Sequence, residues 1–300
     1  MTTAESPGAE LAADRRAIDA ELTALSARDL APLTGPVADA VRYALLGGGK
    51  RLRGALLLAA YRAAGGHGDA GLMAAAVEVV HAYSLVHDDL PCMDNDDMRR
   101  GRATVHVRFG VPVATAAGLA MVPFAARVMT EAATALGLPD QVTTAVLRTL
   151  LQASGAGGMI GGQLLDLEGE AAPLTLDALE RVHRMKTGAL ISAAVVIGGL
   201  AGGATPAVQA ALRTYGDAVG LAFQIADDVL DVTSTTDQLG KTAGRDAALR
   251  KSTYPALLGL VPARERATHL SADAVAALRE SGIHSTALEA LAHFVVTRRS

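Results

Sequence analysis

Two runs of aspartate are the groups in this sequence best suited to chemistry. The first is His87-Asp88-Asp89-Leu90-Pro91-Cys92-Met93-Asp94-Asn95-Asp96-Asp97, with five Asp in ten residues. It follows an apolar stretch (Val79, Val80, Leu85, Val86), and Pro91 disfavours helix at Leu90, so a helix is expected to end near Asp89. Carboxylates at a helix C-terminus sit where the macrodipole disfavours negative charge. The second run closes Gly220 to Asp231, where Asp227 and Asp231 lie one helical turn apart and project from one face. Either run alone also reads as a solvated surface. As a pair they suit hard divalent ions, because Mg²⁺ takes one or two carboxylates per ion and completes its shell with substrate phosphates. Two such clusters on facing helices could neutralise a departing diphosphate.

Basic residues lie beside both runs. Gly47-Gly48-Gly49-Lys50-Arg51-Leu52-Arg53 is a glycine turn leading into three cations, and Arg99, Arg100 and Arg102 follow the first run directly. Lys186-Thr187 precedes the second run, and Lys241 and Lys251 follow it. Singly these are ordinary surface charges, but their placement suggests anion binding. Neither glycine-lysine segment is a P-loop. GGGKRLR lacks the hydroxyl after lysine, and Gly240-Lys241-Thr242 has Thr235 where the motif needs glycine.

Helices must position these groups. Helical periodicity appears in an amphipathic segment holding Ile18, Leu22 and Leu25, and then over about 37–46, 54–64, 72–89, 113–134, 140–154, 160–168, 176–200, 206–235, 252–260 and 285–298. The breaks are short and rich in Gly, Pro, Asp or Ser. No long linker, repeat or alternating strand pattern divides the chain, so a single all-α domain over 1–300 is expected, with 1–12 frayed. Composition narrows the partners. A net charge of −4 argues against nucleic acid, and Cys92 as the sole cysteine excludes an internal disulfide and fits a reducing, cytoplasmic setting. MTTAESPGAE lacks a signal-peptide pattern. The uncharged stretch 187–212 is broken by Gly198, Gly199, Gly202, Gly203 and Pro206, so it reads as a buried core helix and no integral membrane segment is expected.

The ordered segments GGGKRLR, SLVHDDLPCMDNDDMRRGR, GGQLLDLEGE, VHRMKTGALI, FQIADDVLD and KSTYPALLG resemble the trans-type polyprenyl diphosphate synthase family of farnesyl and geranylgeranyl diphosphate synthases. The resemblance runs from Val41 to Tyr254, with a similar ending at 288–299. It implies a large isoprenoid-synthase-like helical bundle, with a central cavity between the helices bearing the Asp motifs, in a homodimer. It implies three Mg²⁺, with Asp88, Asp94 and Asp227 as direct ligands and Asp89, Asp228 and Asp231 acting through water. Lys50, Arg53, His81 and Arg100 would grip isopentenyl diphosphate. Arg99, Lys186, Gln224, Lys241 and Lys251 would hold the allylic diphosphate. Thr187 and Gln224 would turn oxygens toward the developing allylic cation. Gln163 and Asp166 belong to a motif typical of the family. The implied reaction joins the two substrates to a C15–C20 product and releases pyrophosphate.

Three positions depart from the family pattern: Leu119 replaces a usual Asp, Pro123 falls mid-helix, and Gly54 replaces a proline. The first two bear on the hydrocarbon pocket, expected to involve Tyr83, Ser84, Met121 and Phe124, with Tyr83 as part of its floor. Other classes of function fit less well. A di-iron bundle would use Glu78-x-x-His81 and Glu180-x-x-His183 but needs a Glu from each of two more helices. A terpene cyclase would want aromatic walls, and aromatic residues are only 3% of this chain. A non-catalytic modifier subunit would tolerate eroded metal motifs, and both motifs here are complete.

Overall fold

The computed structural model describes residues 7–170, 173–233 and 251–298. Lys241 lies outside them. The described residues form helices, apart from one short hairpin, and group into two compact units.

The first unit draws on residues 1–58 and 68–147. It contains α1 (Pro7–Leu25), a π-helical turn (Ser26–Leu30), α2 (Pro36–Leu45) and the start of α3 (Leu52–Ala63). These are followed by α4 (Gly71–Asp88), β1 (Met98–Arg99), β2 (Arg102–Ala103), α5 (Val105–Phe109), α6 (Val111–Ala135) and the start of α7 (Asp140–Ser154). Helix α1 begins at Pro7, inside the stretch expected to fray. The core helix is α4, in which Met73, Ala74, Ala75, Ala76, Val77 and Val79 are wholly buried. Its small side chains allow close packing on α6, whose Ala114, Ala117, Met121, Ala125 and Val128 are equally buried. Leu119 is 65% exposed, and Pro123 shares that outward face of α6. The helix runs through Pro123 unbroken, and Leu119, whose carbonyl loses its N–H partner there, lies on the same exposed face. A buried charge network ties the unit together. Glu78 accepts from Gly54 N at 3.0 Å and pairs with Arg51 at 3.7 Å, while Arg51 donates to Asp19 at 2.8 Å.

The second unit draws on residues 59–67 and 148–300. It holds α8 (Met159–Gly169), α9 (Leu176–His183), a π-helical turn (Arg184–Gly188), α10 (Ala189–Ala201), α11 (Pro206–Thr233), α12 (Tyr254–Leu258), α13 (Leu260–Glu280) and α14 (Thr286–Thr297). Helix α10 is nearly all core, as its uncharged sequence suggested. By length and composition alone, the stretches Val111–Ala135 and Leu176–Ala201 could each cross a membrane, but 72% of the apolar window of the second is buried inside the protein. Helices α10 and α11 meet backbone to backbone. A Cβ on Gly220 would lie 2.7 Å from Gly188 Cα, and one on Gly216 2.7 Å from Ser192 Cα. Glycine at these contacts sets the second Asp run against the segment carrying Thr187.

Two features differ from the sequence reading. Gly259, at φ 90°, ends a helix near the expected place, but a further helix, α13, fills 260–280. Its buried stripe of Ala263, Ala267, Leu270, Ala274 and Leu278 has helical spacing, but alanine gives weak hydropathy contrast. The β1–β2 hairpin was also missed, since strands of two residues are too short to alternate visibly.

Candidate active site

In the first unit the Asp loop folds back onto the end of α4. Asp94 N donates to Asp88 O at 2.8 Å, and Asp96 N to Asp89 O at 3.2 Å. Asp89 is buried and held by Arg99, with Nε at 2.8 Å and Nη2 at 2.6 Å from Oδ1. Burial pushes the Asp89 carboxyl above its ordinary value despite Arg99, and pairing with Asp89 raises Arg99 against the effect of its own burial. The next residues turn sharply. Arg100 and Gly101 both have positive φ, 53° and 74°, the combination a two-residue hairpin turn of type I′ demands. The Arg100 guanidinium donates to Gly48 O and lies across Gly49, where a Cβ would come within 2.6 Å of Nη1. The glycine run therefore makes room for a cation.

Arg99, Arg100 and His81 line one small cleft, open to solvent, with Arg51, Arg102 and Tyr43. His81 is kept neutral, well below the ordinary histidine value, by burial and by the positive charges of Arg53, Arg100, Arg99 and Arg51. Its buried Nδ1 has no hydrogen-bond partner among the described residues. Lys50 and Arg53 precede and begin α3, Lys50 exposed and Arg53 half-buried, and neither is among the residues lining the cleft. Arg51, counted in the sequence only among the three cations after the glycine turn, is buried at φ 51° and joins the cleft wall to Glu78 and Asp19. No spacing rule links those three positions. Arg102 donates to Leu46 O at 3.2 Å and lies 4.0 Å over the Tyr43 ring, fixing the second strand of the hairpin.

The expected pocket residues lie on α4 and α6 of this unit. Tyr83 is buried edge-on to His87, with ring centroids 4.9 Å apart. Met121 is wholly buried, and Phe124 is half-buried beneath Arg127 at 5.2 Å. Ser84 Oγ turns back to His81 O at 2.8 Å. His87 Nε2–H donates to Thr115 O at 3.2 Å and fills the place a Gly118 side chain would take, since a Cβ there would lie 2.0 Å from Nε2.

In the second unit, the paired glycines of GGQLLD bring α8 against the π turn, and a Cβ on Gly162 would lie 2.2 Å from Lys186 N. Gln163 is buried next to it. Asp166 then receives Lys186 Nζ at 2.6 Å and Lys251 Nζ at 3.4 Å, and Lys251 also meets Glu170 at 3.3 Å. Burial alone would raise the Asp166 carboxyl, but the two ammonium groups outweigh it and hold it below its ordinary value. Thr187 Oγ1 donates to Gln224 Oε1 at 2.8 Å, and Gln224 Nε2 donates to Asp228 Oδ1 at 3.2 Å. Asp228 is 3% exposed and also accepts from His183 Nε2 at 3.1 Å and Tyr254 N at 3.0 Å.

The three carboxylates of the second run thus differ. Asp228 spends its oxygens on protein donors, as Asp89 does in the first run, whereas the two were expected to meet metal through water. Asp231 is buried, and Asp227 keeps 43% of its side chain exposed, so the face expected to carry both carboxylates presents them unequally. Arg298, to which the sequence reading assigned no role, donates from Nη2 to Asp227 Oδ1 at 2.7 Å.

Among the described residues no three His, Cys, Asp or Glu side chains converge on a ready-made metal cluster. This weighs against the di-iron reading. Glu78 already serves Gly54 and Arg51, and Glu180 accepts from Tyr254 Oη at 2.7 Å. Mg²⁺ fits better, because Asp88, Asp94 and Asp227, none of them fully buried, are hard oxygen donors of the kind that bind it together with phosphate oxygens.

Residues 35–285 match the family described as polyprenyl synthetase. The chain is 46% identical over 282 residues to farnesyl diphosphate synthase of Escherichia coli K12, covering 90% of this chain and 93% of that protein. It is 45% identical to the chloroplastic geranylgeranyl pyrophosphate synthase 9 of Arabidopsis thaliana, over 82% of this chain and 68% of that one. A Helicobacter pylori geranyltransferase, crystallised with magnesium and isoprenyl diphosphate, superposes with a TM-score of 0.81 at 29% identity, over 98% of each chain. This chain belongs to the polyprenyl synthetase family.

Proposed function

We propose that this protein is a short-chain trans-prenyl diphosphate synthase, joining isopentenyl diphosphate to an allylic diphosphate to give a C15–C20 product and pyrophosphate. One observation favours condensation over cyclisation. Each Asp run has its own set of cations, Arg99, Arg100 and Arg102 in the first unit and Lys186 and Lys251 in the second. Two diphosphates need two such sets, whereas a cyclase handles one.

The chain's groups divide the work. Arg100, Lys50 and Arg53 hold the isopentenyl diphosphate, and neutral His81 contributes a hydrogen bond rather than charge. Lys186 and Lys251 hold the allylic diphosphate. Mg²⁺, three ions when bound through Asp88, Asp94 and Asp227, supplies charge neutralisation to the leaving diphosphate. Asp228 is pinned by Tyr254 N and so fixes which way the Gln224 amide faces. The Gln224 carbonyl and Thr187 hydroxyl oxygens then present negative ends to the carbon that becomes positive as the C–O bond breaks. Preorganised dipoles of this kind are commonly the largest catalytic contribution. The isopentenyl double bond attacks that carbon, and the released pyrophosphate takes the proton lost afterwards. No side-chain nucleophile is required.

Tyr83, with Ser84, Met121 and Phe124, sets chain length. The exposed apolar face of α6, including Val111 and Leu119, supports a homodimer built on this helix. Incubation with isopentenyl and geranyl diphosphates should release pyrophosphate only when both substrates and Mg²⁺ are present. Release from either substrate alone would point to a hydrolase or cyclase instead.

A further inference from the structure

Asp227, a carboxylate offered for metal binding, already carries a cation. Arg298 follows α14 directly, and its side chain is 4% exposed. Its Nη2 donates to Asp227 Oδ1 at 2.7 Å and to Phe223 O at 3.0 Å, and its guanidinium lies 3.7 Å over the Phe223 ring. Its Nε is buried with no hydrogen-bond partner among the described residues. A guanidinium stripped of water and incompletely bonded is held there chiefly by Asp227 and the ring face. Asp227 itself is 43% exposed and open to a second cation.

We propose that Arg298 is an internal counter-ion that keeps a divalent cation off Asp227 until a diphosphate arrives. A metal on the same carboxylate would lie a few ångströms from the guanidinium, and in a partly buried site that repulsion is strong. Diphosphate brings enough negative charge to offset it. Metal and substrate would therefore load together, and without metal the Asp227 charge would be balanced by Arg298. This rests on the synthase reading, since it takes diphosphate as the second ligand.

Mn²⁺ binding, followed by electron paramagnetic resonance with and without inorganic pyrophosphate, tests the idea with no turnover. The wild-type protein should bind Mn²⁺ weakly alone and tightly with pyrophosphate. Arg298→Gln should bind Mn²⁺ alone about tenfold more tightly, with a correspondingly smaller gain from pyrophosphate. Arg298→Lys, which keeps the charge, should behave as wild type. Adding Asp227→Asn to Arg298→Gln should abolish the tenfold gain, which locates it at this carboxylate. If Arg298→Gln does not fold by thermal melting, Arg298→Met keeps the contact with Phe223 and serves in its place. Unchanged or weaker Mn²⁺ binding in the charge-removed variant would overturn the proposal. Failure of condensation with this metal result intact would instead reject the synthase reading.

Discussion

The two aspartate runs look alike in sequence and are built differently. The first sits where a helix stops, so its loop is free to fold back and arrange Asp88 and Asp94 through backbone hydrogen bonds. The second lies within α11, where helical geometry fixes every carboxylate direction in advance. In each run one interior Asp is given over to the fold. Asp89 takes one guanidinium, while Asp228 takes an imidazole, an amide side chain and a backbone N–H. A run of Asp thus mixes buried struts with more exposed carboxylates, and burial separates the two.

The largest expected effect comes from the outward members. Asp88→Asn and Asp227→Asn should each lower kcat by roughly 10²–10³-fold, the cost typical of losing a transition-state charge stabiliser, with melting temperature little changed in Asp88→Asn but lowered in Asp227→Asn, which strands the buried Arg298 guanidinium. An equal loss of activity and stability would erase the distinction between ligand and strut. Next are the inward members. Asp228→Ala should destabilise the protein by about 3–5 kcal/mol in urea unfolding, since it strands a buried imidazole and a backbone N–H. Arg99→Ala should cost a comparable amount by leaving Asp89 buried without its guanidinium.

A smaller effect concerns product. Tyr83→Ala should lengthen the prenyl chain with condensation retained, read by chromatography of the dephosphorylated products. An unchanged length distribution would remove Tyr83 from the pocket floor. The smallest effect is in protonation. Asp89 should titrate above the ordinary 3.8 because burial dominates, and Asp166 below it because Lys186 and Lys251 outweigh burial. The signs for stability are opposite. The Asp89 contribution is full below 3.8 and is lost as pH rises through its raised value. The Asp166 contribution is present above 3.8 and is lost as pH falls through its lowered value. Carboxyl NMR titration of each Asp→Asn variant against wild type would identify the two signals.

Much of this was legible beforehand. Helix ends at Pro91 and the 47–49 glycines follow from local backbone rules, and the glycine breaks in and after the uncharged α10 favoured core over membrane. The basic residues near each Asp run could be named because chain neighbours of a functional loop tend to share its site. Arg51, Arg298 and the His183–Asp228–Tyr254 cluster were not legible, because their partners are 26 to 71 residues away and nothing local marks the pairing. The α13 helix was hidden by its alanine stripe. The departures at Leu119 and Pro123 seemed to threaten the pocket, but both lie on the outward face of α6, away from the buried Met121 side.

The central claim is condensation, and one measurement tests it most directly. Purified protein is incubated with Mg²⁺, labelled isopentenyl diphosphate and, in turn, dimethylallyl, geranyl and farnesyl diphosphates, and the products are resolved by chain length. Mg²⁺-dependent transfer of label into C15–C20 diphosphates, lost in Asp227→Asn, is the predicted result. No elongated product with any primer would contradict it.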